Sequence, residues 1–308
     1  MKTSVKYFFL SFSSIVFALF GSCVFWEKEN HSEQSLGKSS DSLLVTLEPV
    51  WETDTLTFIT PENVTYDPDR KVFYVSSLNR SNDTENDGYI SIIKTDGTVE
   101  EEKWTEGLTS PLGNDFHNNF LFVNDKGNVV KIDLKSGEII ERIPVKGAIG
   151  LNGMDIDEKG NIYSADSEGN KIFKITPDKE VSVVFEGEEL NRPNGVLVRG
   201  DELFTVSSGG GVLNSIDLKS GQIESLVEGI GQADGIILLD GGHFLTSSWK
   251  GEVYFISKDM KVQKILDLKD QKINAADIGF IPEEYLLVVP TFHDNRLMAY
   301  KLKINKVN

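Results

Sequence analysis

A single cysteine in 308 residues, Cys23, excludes a disulfide or a thiolate-ligated metal site within one chain. Histidine is also scarce, with only four: His31, His117, His243 and His293. Basic residues number 31 against 48 acidic ones, a formal net charge of −17. Such a chain lacks the positive surface that phosphate backbones demand, so nucleic acid is not an expected partner. Long apolar runs are missing too. The longest, Tyr7–Phe20, falls short of the roughly 18–20 residues needed to cross a bilayer. Nowhere does a 3.6-residue apolar period persist, so helix is not expected as a building block.

What remains is short alternating runs punctuated by Gly, Asp, Asn and Ser. Asn191–Glu224 gives four of them (GVLVR, ELFTVSS, VLNSIDL, QIESLVE), joined by tight polar turns. Val, Ile, Leu and Phe keep one parity, which predicts half-buried strands in an antiparallel four-stranded unit. The unit recurs. Tyr74, Phe122, Tyr163, Phe204, Phe244 and Leu287 anchor successive second strands, at intervals of 48, 41, 41, 40 and 43 residues. Six recurrences of a four-stranded unit predict an all-β, six-bladed β-propeller. Leu43–Trp51 is strand-like but precedes the first repeat, and the sixth repeat holds only three strands. An N-terminal strand that completes the last blade would remove two open edges.

Ahead of the propeller (43–308), Lys2 and Lys6 precede the apolar run, and Gly21-Ser22 precede Cys23. Residues 1–22 read as a secretory signal. The position of Cys23 resembles a bacterial lipobox, with Phe20 where Leu is usual; this implies a lipidated mature N-terminus in the cell envelope. Residues 23–42 are polar and Ser-rich, a flexible tether. The expectation is a monomer that touches membrane only through that anchor.

The candidate chemistry lies at the start of each first strand. Ten to twelve residues before each anchor stand Glu62, Leu112, Asn152, Asn194, Asp234 and Asp277. First strands line the channel of a propeller, so these positions should form a ring at one mouth. Oxygen ligands of the Glu, Asn and Asp types, without His or Cys, suit a hard divalent cation, calcium or magnesium, and not zinc. Glu62 and Asp234 would balance its charge. Asn-Gly and Asp-Gly pairs are also common turn formers, which is the competing account of Asn152, Asn194 and Asp234. Their shared repeat phase, together with a Glu that makes no turn, favours the site.

TPENVTYDPDRKVFYVSS, GLNGMDIDEKGNIYSAD, NRPNGVLV and ADGIILLDGGHFLTSSWKGEVYFI resemble successive motifs of the gluconolactonase/regucalcin-like family. The resemblance runs over essentially the whole repeat region. It implies a six-bladed propeller with a divalent cation, usually calcium, in the channel. Glu62, Asn194 and Asp234 match the family's metal ligands. Asn152 matches its remaining channel Asn, which contacts metal or substrate, and Asp234 also matches the carboxylate assigned as base or nucleophile. Sugar-lactone members tend to carry Arg two residues before the first channel Asn, whereas Gly150 stands here.

Together these point to a lipid-anchored, metal-dependent hydrolase of a lactone or related ester. Asn152 or Asn194 would hold the developing oxyanion, and Asp234 or Asp277 would activate water. The alternative is a non-enzymatic binding propeller with a structural channel cation. Loops between second and third strands should share the mouth. They offer Trp249, Lys250, Phe292 and His293 as contacts for a small-molecule substrate, with His293 a possible proton shuttle. The longest such loop, Ser76–Gly88, could form a lid.

Overall fold

The computed structural model describes residues 42–79 and 86–307. Signal, lipidation and tether calls, including Cys23 and His31, fall outside the described residues, as do residues 80–85 of the Ser76–Gly88 loop.

Six four-stranded antiparallel sheets make up the fold, so the expected six-bladed propeller is what forms. Blade one comprises Pro61–Asp67, Val72–Ser77, Gly88–Lys94 and Val99–Leu108, in spatial order. Blades two to five repeat that order and begin at Pro111, Leu151, Pro193 and Ala233. Blade six holds Gly279–Ile281, Leu286–Pro290 and Leu297–Val307, and its outer strand is Ser42–Glu52 from the opposite end of the chain. That strand runs antiparallel to Leu297–Val307 from Ser42 opposite Val307 to Glu52 opposite Met298. Its Trp51 reaches blade one: the indole N–H donates to the Thr95 carbonyl at 3.0 Å. The ring therefore closes without an open edge at the join.

Strand alternation explains why each blade buries both faces. In Val72–Ser77, Val72 and Tyr74 pack with Ile90 against Leu121, Val123 and Val130 of blade two. Phe73 and Val75 of the same strand pack the other way, against Ile281, Leu286 and Val288 of blade six. Similar clusters fill the remaining gaps between blades. Burying each such side chain contributes roughly 1.5–3 kcal/mol. Second strands such as Val72–Ser77 and Leu286–Pro290 are buried along their whole length. Outer strands such as Val181–Glu186 alternate and stay largely exposed.

Candidate functional site

In five blades the pairing of first and second strands slips at the same place. The slips fall between Pro61 and Asn63, Pro111 and Asn114, Leu151 and Met154, Pro193 and Val196, and Ala233 and Ile236. Each slip contains one residue of the anticipated ring: Glu62, Leu112, Asn152, Asn194 or Asp234. A bulge takes a residue out of the ladder and re-aims its side chain. All five line a single cleft of about 370 Å³ at one mouth of the channel.

The glycines that follow three of them are required by packing, not by turns. Asn152-Gly153, Asn194-Gly195 and Asp234-Gly235 all lie inside strands. A Cβ on Gly153 would stand 2.4 Å from the Asn194 carbonyl oxygen, and one on Gly195 would stand 2.6 Å from that of Asp234. Gly113 repeats the relation, 2.5 Å from the carbonyl oxygen of Asn152. Adjacent first strands touch backbone to backbone around the axis, and that approach brings the side chains one residue earlier together at the mouth. The turn-forming account of these pairs is thereby corrected.

Asn152 Oδ1, Asn194 Oδ1 and Asp234 Oδ1 are buried and accept no hydrogen bond from the described residues. Glu62, 4% exposed, lines the same cleft. Leaving one buried acceptor unsatisfied costs roughly 1–3 kcal/mol, so three at one place need an explanation. Burial, and after it the nearby Asp277 carboxylate, push the Asp234 carboxyl well above the usual range. A positive partner would reverse that shift and satisfy all three oxygens. Among the described residues no three His, Cys, Asp or Glu cluster as a metal site. The donor set here is two carboxylates and two amides, a combination suited to calcium or magnesium.

Asp277 does not join the four. Its backbone bridges that of Asn63, and its Oδ2 accepts a hydrogen bond from Asn63 Nδ2 at 3.0 Å. It lines a separate cavity, of about 250 Å³, on the far side of the glycine ring. Blade six is the exception: its first strand is assigned only from Gly279, and four residues separate Ile281 from Leu286 where the same turn in blades two and four has two, which lengthens the count back from the anchor. Counting back from Leu287 therefore lands one residue late. Ala276 occupies the ring position: its carbonyl accepts from Ser247 Oγ at 2.7 Å, as that of Asn152 accepts from Asn124 Nδ2 at 2.6 Å.

The rim follows the anticipated loop arrangement in part. Trp249, Phe292 and His293 line the cleft; Lys250 is exposed and does not. His293 is exposed, and its ring stands edge-on to Phe292 at 4.9 Å and to Trp249 at 5.8 Å. His243 stacks on Phe255 at 5.1 Å, and His117 lines a cavity elsewhere, between blades two and three. Sequence reasoning missed Leu78, Arg192, Ser208 and Gln232, which also line the cleft. Arg192 and Gln232 each stand two residues before a ring residue, and that offset was the available signal. Arg192 pairs with Glu168 at 2.8 Å.

No family model matches the chain. A 114-residue stretch is 25% identical to the core trichothecene cluster protein 14 of Fusarium sporotrichioides; it covers 35% of this chain and spans only 31% of that protein's length. Solved structures match far more of the fold. A putative gluconolactonase superposes with a TM-score of 0.63 at 15% identity, over 86% of this chain and 94% of its own. A gluconolactonase from Xanthomonas campestris gives 0.62 at 14% identity, over 82% and 89%. A streptogramin B lyase gives 0.62 at 13%, over 85% and 98%. The chain thus shares the propeller fold of these structures, at identities that establish the fold alone.

Proposed function

We propose that this propeller is a metal-dependent hydrolase of a lactone or related ester, with Glu62, Asn152, Asn194 and Asp234 as its cation ligands. The observation that carries the reading is the set of buried acceptor atoms on Asn152, Asn194 and Asp234, gathered in one cleft without donors among the described residues. Bound there, a divalent cation supplies a Lewis acid for an ester carbonyl oxygen. Glu62 and Asp234 balance its charge, while the two Asn carbonyls add ligands without adding charge. Asp234, ionised beside a cation, acts as general base toward water. The amide of Asn152 orients the carbonyl and donates to oxygen as negative charge develops. Gluconolactonases on the same fold support this class of reaction by analogy. The binding-only propeller has no separate observation in its favour.

The test is a panel of lactones and simple esters assayed with chelated protein, with and without added calcium, beside calorimetric titration of the cation. Calcium-dependent turnover supports the reading. Calcium binding without turnover leaves a binding propeller, and absence of any divalent-cation binding overturns the site. Lipid anchoring at Cys23 is a separate proposal. Cys23→Ser should move the protein from the membrane fraction to the soluble one, and unchanged fractionation would sink it.

A further inference from the structure

The cleft above the four ligands is chemically lopsided. One side is apolar: Leu78, 2% exposed, and Phe292, 5% exposed, cluster with Leu112 and Trp249 in a hydrophobic group apart from those between the blades. Trp249 meets the Phe292 ring edge-on at 4.8 Å and 65°. The other side carries the Arg192 guanidinium.

Both sides are built into the backbone. Phe292 is held at φ 41° and Arg192 at φ 63°, left-handed conformations that cost a non-glycine residue energy. Phe292 stands at the start of a short 3-10 turn, Phe292–Asp294, which Asn295 ends in a left-handed conformation. The Arg192 amide donates to Asn170 Oδ1 at 2.7 Å, and its carbonyl accepts from the Ser208 amide at 2.9 Å. Two strained bulky residues facing one cleft from different blades are a recurring mark of a ligand clamp.

A polyol lactone presents a hydroxyl on nearly every ring carbon. Against Leu78, Leu112 and Phe292 those hydroxyls would lose water and gain no partner. An apolar substituent would instead displace water from this wall and meet the Trp249 and Phe292 rings. Resting on the hydrolase reading above, we infer that the site is selective for a lactone or ester bearing an apolar alkyl or aryl group. That group packs on Trp249, Phe292 and Leu112, and an acceptor on the opposite side meets Arg192; a sugar lactone is disfavoured.

The experiment has two arms on the full-length wild-type protein loaded with calcium. The first compares kcat/KM for an alkyl-substituted γ-lactone, an aryl-fused δ-lactone and an aldono-δ-lactone. The two apolar substrates should be favoured by at least about tenfold, and Trp249→Ala should erase most of that ratio through KM. The second arm measures binding by calorimetry as the matching lactams, which resist hydrolysis, are titrated in. The apolar lactam should bind at least about tenfold tighter than the polyol lactam. Apolar preference in binding without turnover of any lactone would overturn the hydrolase reading and leave this one standing. Equal or better use of the polyol in either arm, or no lactam binding at all, overturns it. The wild-type comparison decides the question even if the Trp249 variant fails to fold.

Discussion

The two mouths of the channel use the same kinds of residue to opposite ends. At the far mouth the acids are answered by the chain itself. Asp115 accepts from the Phe116 and Ile156 amides at 2.8 and 2.9 Å. Asp155 accepts from the Val198 amide at 2.6 Å and from Arg199 at 3.0 Å, and Asp277 accepts from Asn63. Each of the first two ties its blade to the next. At the near mouth, three buried oxygens of Asn152, Asn194 and Asp234 receive no hydrogen bond from the described residues. Acidity alone therefore marks nothing in this channel; the difference lies in where the hydrogen-bond donors come from. The far-mouth carboxylates join blades, and the near-mouth oxygens are the ones that the proposed cation would satisfy.

Exchanging carboxylates for amides at the two mouths is the sharpest way to break this contrast. Asp234→Asn should lower kcat by about 10²–10⁴-fold on any lactone that the wild type hydrolyses, the usual worth of a general base. Asp155→Asn should leave kcat within a few-fold and act on stability instead, because its Arg199 pair is part of the blade junction. Steady-state kinetics on the two variants side by side check this. A comparable loss of turnover in both would erase the distinction between the mouths.

Calcium should also tell the mouths apart through stability. At a hundred times its dissociation constant, a ligand that binds only the folded state stabilises it by about 2.7 kcal/mol. Scanning calorimetry of the wild type should show melting raised by several degrees. Glu62→Gln and Asn194→Ala should blunt the rise, and Asp115→Asn should keep it. A rise of the same size in all four proteins would place the cation elsewhere.

Most of the architecture was legible because each blade is a local repeat: Phe122 and Tyr163 announce their strands without knowledge of the neighbours. Closure by Ser42–Glu52 was legible as well, since a three-stranded last repeat needs a fourth strand from somewhere. The ring was harder to read. Glu62, Asn152, Asn194 and Asp234 share a phase because each sits in a strand slip of the same kind, and in blade six the longer turn after the first strand puts the count on Asp277, one residue past Ala276. Small residues beside the ring positions would let backbones crowd the axis, and Gly153 and Gly195 do so, although the contacts that show it lie some 40 residues away. Leu78 and Ser208 were missed because nothing local distinguishes them from other loop residues until the blades are arranged around the axis; Arg192 and Gln232 had only their offset of two from a ring residue.

Asp277 offers the smallest and most specific test among the far-mouth acids. Burial pushes its carboxyl up to about 6, although the hydrogen bond from Asn63 and the Ile278 amide pull it down. In the unfolded chain the same group titrates near 4. Below about pH 4 it is protonated in both states and has no effect on stability. Between about pH 4 and 6 the unfolded chain ionises first, so the folded state loses stability as pH rises, and above about 6 the loss is constant. A shift of this size corresponds to about 2–3 kcal/mol at most. Asp277→Asn removes the charge and keeps an oxygen for Asn63 Nδ2. On chelated protein the variant should melt a few degrees above the wild type at pH 7.5, with the gap closing by pH 4. If the wild type is instead the more stable protein at pH 7.5 and loses that lead on acidification, Asp277 is an ionised carboxylate that the fold favours. It would then belong with the acids of the far mouth that the chain fully satisfies.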